Sequence, residues 1–121
     1  MTASSGRVTG GALTVTDGVI ADLIGYAALE TFGVVGMAAP SIQDGIAKLL
    51  PTRALRRGIT AVKTDEGLLI DLYIIIEHGV SLTTVSQNLV DRVHFVIENL
   101  ADQTIAGVSV HVQGVHVPRS N

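Results

Sequence analysis

The sequence predicts an α+β fold, a small mixed or antiparallel β-sheet with two main helices packed on one face, and three observations carry that reading. Leu68, Ile70, Leu72, Ile74 and Ile76 alternate with Leu69, Asp71, Tyr73, Ile75 and Glu77, the two-residue period of a strand with one buried face. Residues 19–32 and 82–100 instead repeat their apolar positions every three or four residues, as amphipathic helices do. Val108, Val110 and Val112 alternate again, with Ser109, His111 and Gln113 between them. The resulting order is strand, helix, short strand, short helix, hairpin, long helix, strand, which lays helices over one face of a sheet.

Each element has a local cause. Gly11 to Thr16 alternates weakly as a strand, and Asp17 stands at an N-cap position, where a carboxylate accepts from the free N–H groups of a first helical turn. In the helix that follows, Ile20, Leu23, Ile24, Ala27 and Ala28 form the buried stripe, and Gly33 supplies the stop. Residues 33–39 run apolar up to Pro40, a brief buried strand. Ser41 then caps a short helix from Ile42 to Leu50, closed by Pro51. A basic connector, Arg53 to Gly58, leads into a strand from Ile59 to Thr64, and Asp65-Glu66-Gly67 turns the chain into the strand that follows, Leu68 to His78. Ser81 caps the long helix, whose stripe is Leu82, Val85, Leu89, Val93, Val96, Ile97 and Leu100. In the last strand Gly114 marks a bulge that shifts the phase to Val115 and Val117.

The 121 residues fit one domain, read as 11–117 between a flexible segment at 1–10 and a tail at 118–121. Hydrophobic residues at 47% and charged residues at 16% exclude a disordered chain. Aromatics reach only 3%, so the core must be built from Val, Ile, Leu and Ala. The absence of cysteine excludes disulfides, thiolate nucleophiles and Cys-based metal sites. A net charge of −3 argues against broad attraction to nucleic acid or anionic lipid, which needs clustered Lys and Arg. No run approaches the roughly 18–20 apolar residues of a membrane-spanning helix, so direct membrane insertion is not expected. If the protein works at a membrane, another molecule holds it there.

Three blocks, Gly33-Val34-Val35-Gly36-Met37, residues 67–80 (GLLIDLYIIIEHGV) and residues 108–115 (VSVHVQGV), resemble the alkaline shock protein family in sequence and in order. The resemblance runs from about Gly10 to Val117, and its specific part is the Asp-Leu-Tyr strand ending in Glu-x-Gly-Val. His78 departs from it, standing where the family commonly has an aromatic residue. The resemblance implies a non-enzymatic bacterial scaffold or interaction protein of the envelope stress response. It further implies a cytoplasmic protein beside the inner face of the cell membrane, held there by a membrane-embedded anchor protein, and a homo-oligomer.

The residues themselves offer little for catalysis: the chain has no nucleophile elbow, no phosphate-binding Gly-rich loop and no clustered metal ligands. An enzyme, a cofactor and a small-molecule substrate are accordingly not expected. Asp71 and Glu77 share a strand face but stand about 20 Å apart at a rise of roughly 3.3 Å per residue, too far for paired carboxylate chemistry. His78, His94, His111 and His116 are poorly spaced for a metal site. Gly33-Val34-Val35-Gly36 matches the bare G-x-x-G of a KH domain and suggests the alternative, a KH-like binder of single-stranded nucleic acid. Valines stand where such a loop presents cations, leaving Arg53, Arg56 and Arg57 as a weak basic patch. The expected surface for self-association or partner docking is instead the second face of the sheet, carrying Asp71, Tyr73, Ile75, Glu77 and His111, or the edge of its strands, because both helical stripes are satisfied by the opposite face.

Overall fold

The computed structural model describes residues 14–15, 18–40 and 48–118, without the side chains of Thr14, Val15, Thr52 and Arg53. The elements are β1 (Thr14–Val15), α1 (Gly18–Glu30), β2 (Val34–Met37), a 3-10 helix (Thr52–Gly58), β3 (Ile59–Thr64), β4 (Gly67–Glu77), α2 (Leu82–Phe95) continued by a π-helical turn (Val96–Leu100), and β5 (Ile105–His116). The predicted α+β class holds. The expected Asp17 cap, the rest of the first strand, residues 1–10 and 119–121, and residues 41–47 with the Ser41 cap lie outside the described residues.

β4 organises the sheet. One of its edges pairs in parallel with β5 along residues 68–77. Two antiparallel strands share its other edge end to end, β3 against residues 67–72 and β2 against 74–76. β1 extends the sheet beyond β3. Where β3 begins and β2 ends, the two chains meet at Gly58: a Cβ there would lie 2.7 Å from the Ala38 carbonyl oxygen and 3.1 Å from Met37 Cβ. Only glycine lets both strands reach the same edge.

The alternation of β4 is the basis of the core. Leu68, Ile70, Leu72, Ile74 and Ile76 are all buried against Ile24, Ala27 and Ala28 of α1 and Val85, Leu89, Val93, Val96 and Ile97 of α2 and its π turn. Each such aliphatic side chain stabilises the fold by about 1.5–3 kcal/mol when removed from water. The predicted aliphatic composition of the core holds, with Met37 added and no aromatic ring in the cluster. A parallel β4–β5 pair requires a crossover, and α2 supplies it. Ser81 caps that helix as expected, its hydroxyl accepting from the Thr84 N–H at 3.2 Å. Gly33, at φ 95°, ends the turn after α1 in the left-handed region that glycine adopts without a Cβ penalty.

Two expectations need correction. Leu49 and Leu50, the last residues of the expected short helix, are not helical: Leu49 bridges Ala38 antiparallel, and the Leu50 N–H donates to the Met37 carbonyl at 2.8 Å. Pairing there satisfies backbone groups that a helix end would leave free. Leu82 and Leu100 also leave the stripe of the long helix, at 51% and 65% exposed. Leu82 sits in the first turn, and the wider π turn changes the angular step, so adjacent Val96 and Ile97 both point inward while Leu100 turns out.

Candidate functional site

Among the described residues no helix packs on the second face of the sheet. Its centre is built by register. Tyr73 on β4 stands directly opposite His111 on β5, and their rings stack at a centroid distance of 4.5 Å and an angle of 11°. His111 Nε2 is 2.9 Å from Asp71 Oδ1, so a carboxylate, an imidazole and a phenol form one chain across two strands. Glu77 is opposite His116, with Oε1 3.2 Å from Nδ1. Both carboxylates lie in the middle range of exposure. Each is a hydrogen-bond contact between an imidazole nitrogen and a carboxylate oxygen, and an ion pair only when the imidazole is protonated.

Of the expected interaction residues, Asp71, Tyr73, Glu77 and His111 are thus brought together along one surface, whereas Ile75 is withdrawn from it. Ile75 is only 5% exposed, although its register neighbours Gly36 and Gly114 have no side chains. Leu49 stands over Gly36, its Cδ2 2.7 Å from where a Cβ would be. From the other side, the Gln113 amide reaches across β4 to donate to the carbonyls of Ala39 and Pro40 at 3.1 and 2.9 Å. Ile75 therefore supports the face from beneath.

The bulge expected at Gly114 is present. The register passes from Ile74↔Val112 to Ile75↔Gly114, so Gln113 is the extra residue. That shift brings His116 onto the face of His111. Gln113 stands on the second face, as its alternation with the valines predicts, and the phase shift at Gly114 is what adds His116.

The basic patch is weaker than its three arginines suggest. Arg56 grips Asp22 of α1 through two bonds, Nε to Oδ1 at 2.8 Å and Nη2 to Oδ2 at 2.9 Å, and this guanidinium holds the Asp22 carboxyl below the usual carboxylate range. Arg57 is exposed, and the Arg53 side chain lies outside the described residues. Gly33-Val34-Val35-Gly36 is not a nucleotide-clamping loop: Val34 to Gly36 belong to β2 and pair with β4. The observation that suggested a KH-like binder is removed by that pairing.

A family model for the alkaline shock protein 23 family, described as having a cell envelope-related function, matches residues 6–117. An uncharacterized protein of Streptococcus pyogenes serotype M6, Spy1614, is 38% identical over 92% of this chain and 93% of its own length. The uncharacterized protein YloU of Bacillus subtilis is 31% identical over the same shares. The uncharacterized protein YqhY of Bacillus subtilis is 24% identical over 87% of this chain and 77% of its own. No solved structure matches the chain, and no described helix is long and apolar enough to cross a membrane. With nearly the whole chain covered by the family model, and with relatives above 30% identity matched over most of their length, the protein belongs to the alkaline shock protein 23 family, whose function is cell envelope-related.

Proposed function

We propose that this protein is a non-enzymatic scaffold of the envelope stress response whose open sheet face docks a membrane-embedded anchor protein, keeping the chain beside the inner face of the membrane. The observation that carries the proposal is the Tyr73–His111 stack, two rings held face to face across β4 and β5, with the core on the other side of β4. Tyr is a favoured interface anchor because it contributes a large rigid area and a polar tip. His–carboxylate pairs on both sides add directional hydrogen-bonding groups at the rim, and a rigid sheet presents them with little ordering cost.

Affinity capture from detergent-solubilised membranes tests this, with circular dichroism as the control for folding. The wild type is expected to retain an integral membrane protein, and Tyr73→Ala to lose it by about thirtyfold, the equivalent of roughly 2 kcal/mol at a buried interface anchor. Undiminished capture by a folded Tyr73→Ala variant would remove this face from the interface. Recovery of RNA-associated material alone would count against a membrane anchor.

A further inference from the structure

β5 is an outer strand: among the described residues, β4 is its one partner. The direction of its unpaired backbone groups follows from the bonds that β4 makes. The Tyr73 carbonyl accepts from Ala38, and the Glu77 N–H donates to Gly33, so odd-numbered residues of β4 turn toward β2. The N–H groups of Leu68 and His78 donate to Thr104 and His116, so even-numbered residues turn toward β5. In a parallel ladder, a residue opposite one that points at it points its own groups away. The register Ile70↔Val108, Leu72↔Val110 and Ile74↔Val112 therefore aims the N–H and C=O of Val108, Val110 and Val112 out of the sheet.

Exposed edges of this kind are normally blunted by charged side chains or proline. β5 carries no Asp, Glu, Lys, Arg or Pro in its whole length, and its irregularities lie at Ala106 and Gln113, outside the stretch from Val108 to Val112. That stretch, Val-Ser-Val-His-Val, reads nearly the same in both directions.

We infer that the edge is closed by a second copy of this chain, its β5 antiparallel to the first across a two-fold axis at Val110. In this register Val108 lies opposite Val112 of the second copy, Val110 opposite itself, and Ser109 opposite His111. Every outward N–H and C=O of the three valines gains a partner, valines meet valines on the helix side, and hydrogen-bonding side chains meet on the open side. A one-residue slip would place valine rows on opposite faces. A two-residue slip either way would push one outer valine against a bulge. With no ionised side chain on the strand other than a protonated histidine, no repulsion between fixed charges opposes the pairing. Beside Val110 a shallow groove is lined by Leu82, Thr83, Ser86, Gln87 and Val90 of α2, a margin of mixed polarity that the second copy covers. The strand edge, not the open face around Tyr73, makes this contact, so the pairing and the proposed anchor docking fail separately.

Because the chain has no cysteine, disulfide trapping reads the register directly. Ser109→Cys mixed with His111→Cys is expected to give a cross-linked dimer on mild oxidation, since directly opposed residues of this non-hydrogen-bonded type have Cα atoms about 4.5 Å apart. Each variant alone is expected to stay largely unlinked, its like residues being diagonal neighbours roughly 7–8 Å apart. Val110→Pro, which removes an N–H used by the second copy and by nothing else, is expected to turn a sedimenting dimer into a monomer while Tyr73→Ala leaves the dimer intact. Single variants that cross-link as readily as the mixture overturn the register. A wild type that is monomeric at concentrations on the order of 100 μM, or a folded Val110→Pro that still dimerises, overturns the pairing; should Val110→Pro unfold, the cross-linking mixture decides.

Discussion

The two faces of β4 are made by one strand of eleven residues, yet they obey different rules. On the helix side Leu68, Ile70, Leu72, Ile74 and Ile76 lie between 0% and 4% exposed, and their identity matters as volume. On the open side Asp71, Tyr73 and Glu77 are half-buried, and their identity matters as pairing across to His111 and His116. The electrostatics differ as well. The helix layer is clamped on its outside by arginines, Arg56 to Asp22 and Arg92 to Glu30, which are permanently charged. The open face pairs its carboxylates with histidines instead. A surface set by volume is thus back to back with one set by pairing.

The sharpest way to break this contrast is to exchange like for like across the strand. Leu72→Ala is expected to cost about 2–5 kcal/mol, because the site is closed on every side and the cavity cannot collapse fully. Tyr73→Ala, one residue on, should cost only about 1 kcal/mol, the scale of its stack. Urea unfolding followed by circular dichroism measures both, and the midpoints should separate with unchanged slopes. Equal losses would mean that the open face is covered and the contrast false.

A second comparison uses glycines. Gly58→Ala drives a methyl group against the Ala38 carbonyl, which is backbone and cannot rotate away, so a loss of about 1–3 kcal/mol is expected. Gly36→Ala, on the open side, meets only the movable tip of Leu49. Its cost should stay below about 1 kcal/mol. If the two variants melt alike, the shared edge of β4 is not a tight junction.

What the sequence made legible was whatever repeats locally. The hairpin, the buried side of β4, the helical stripes and the Ser81 cap all follow from period and capping chemistry. β2 and β3 sharing one edge of β4 was not legible, because edge choice is a property of pairing and leaves no mark on periodicity. The alternation that marks the last strand starts only at Val108 for a related reason: the irregularity between Ile105 and Gly107 interrupts it where the strand has already begun. Tyr73 and His111 could be placed on one face from the sequence, but not opposite each other. Their stacking depends on a parallel register that α2 and its π turn determine.

The smallest effect is expected at the outer edge of the helix layer, from Asp22→Asn. Asp22 and Arg56 are about half exposed or more, so solvent and salt screen their attraction. The hydrogen bonds from Arg56 nonetheless hold the folded-state carboxyl below the usual carboxylate range, which fixes the sign of a pH dependence. A depressed carboxyl contributes stability that is complete above its unfolded-state value and is lost as pH falls through its folded-state value. The wild type should therefore exceed Asp22→Asn by a small constant margin from neutral pH down to the ordinary carboxylate range. Below it the margin should shrink, and high salt should shrink it at every pH. Thermal melts of the two proteins across about pH 2–7 would show this; a margin indifferent to pH and salt would make the contact between α1 and the 3-10 helix one of packing, and the arginine clamp of the helix layer no different in kind from the core beneath it.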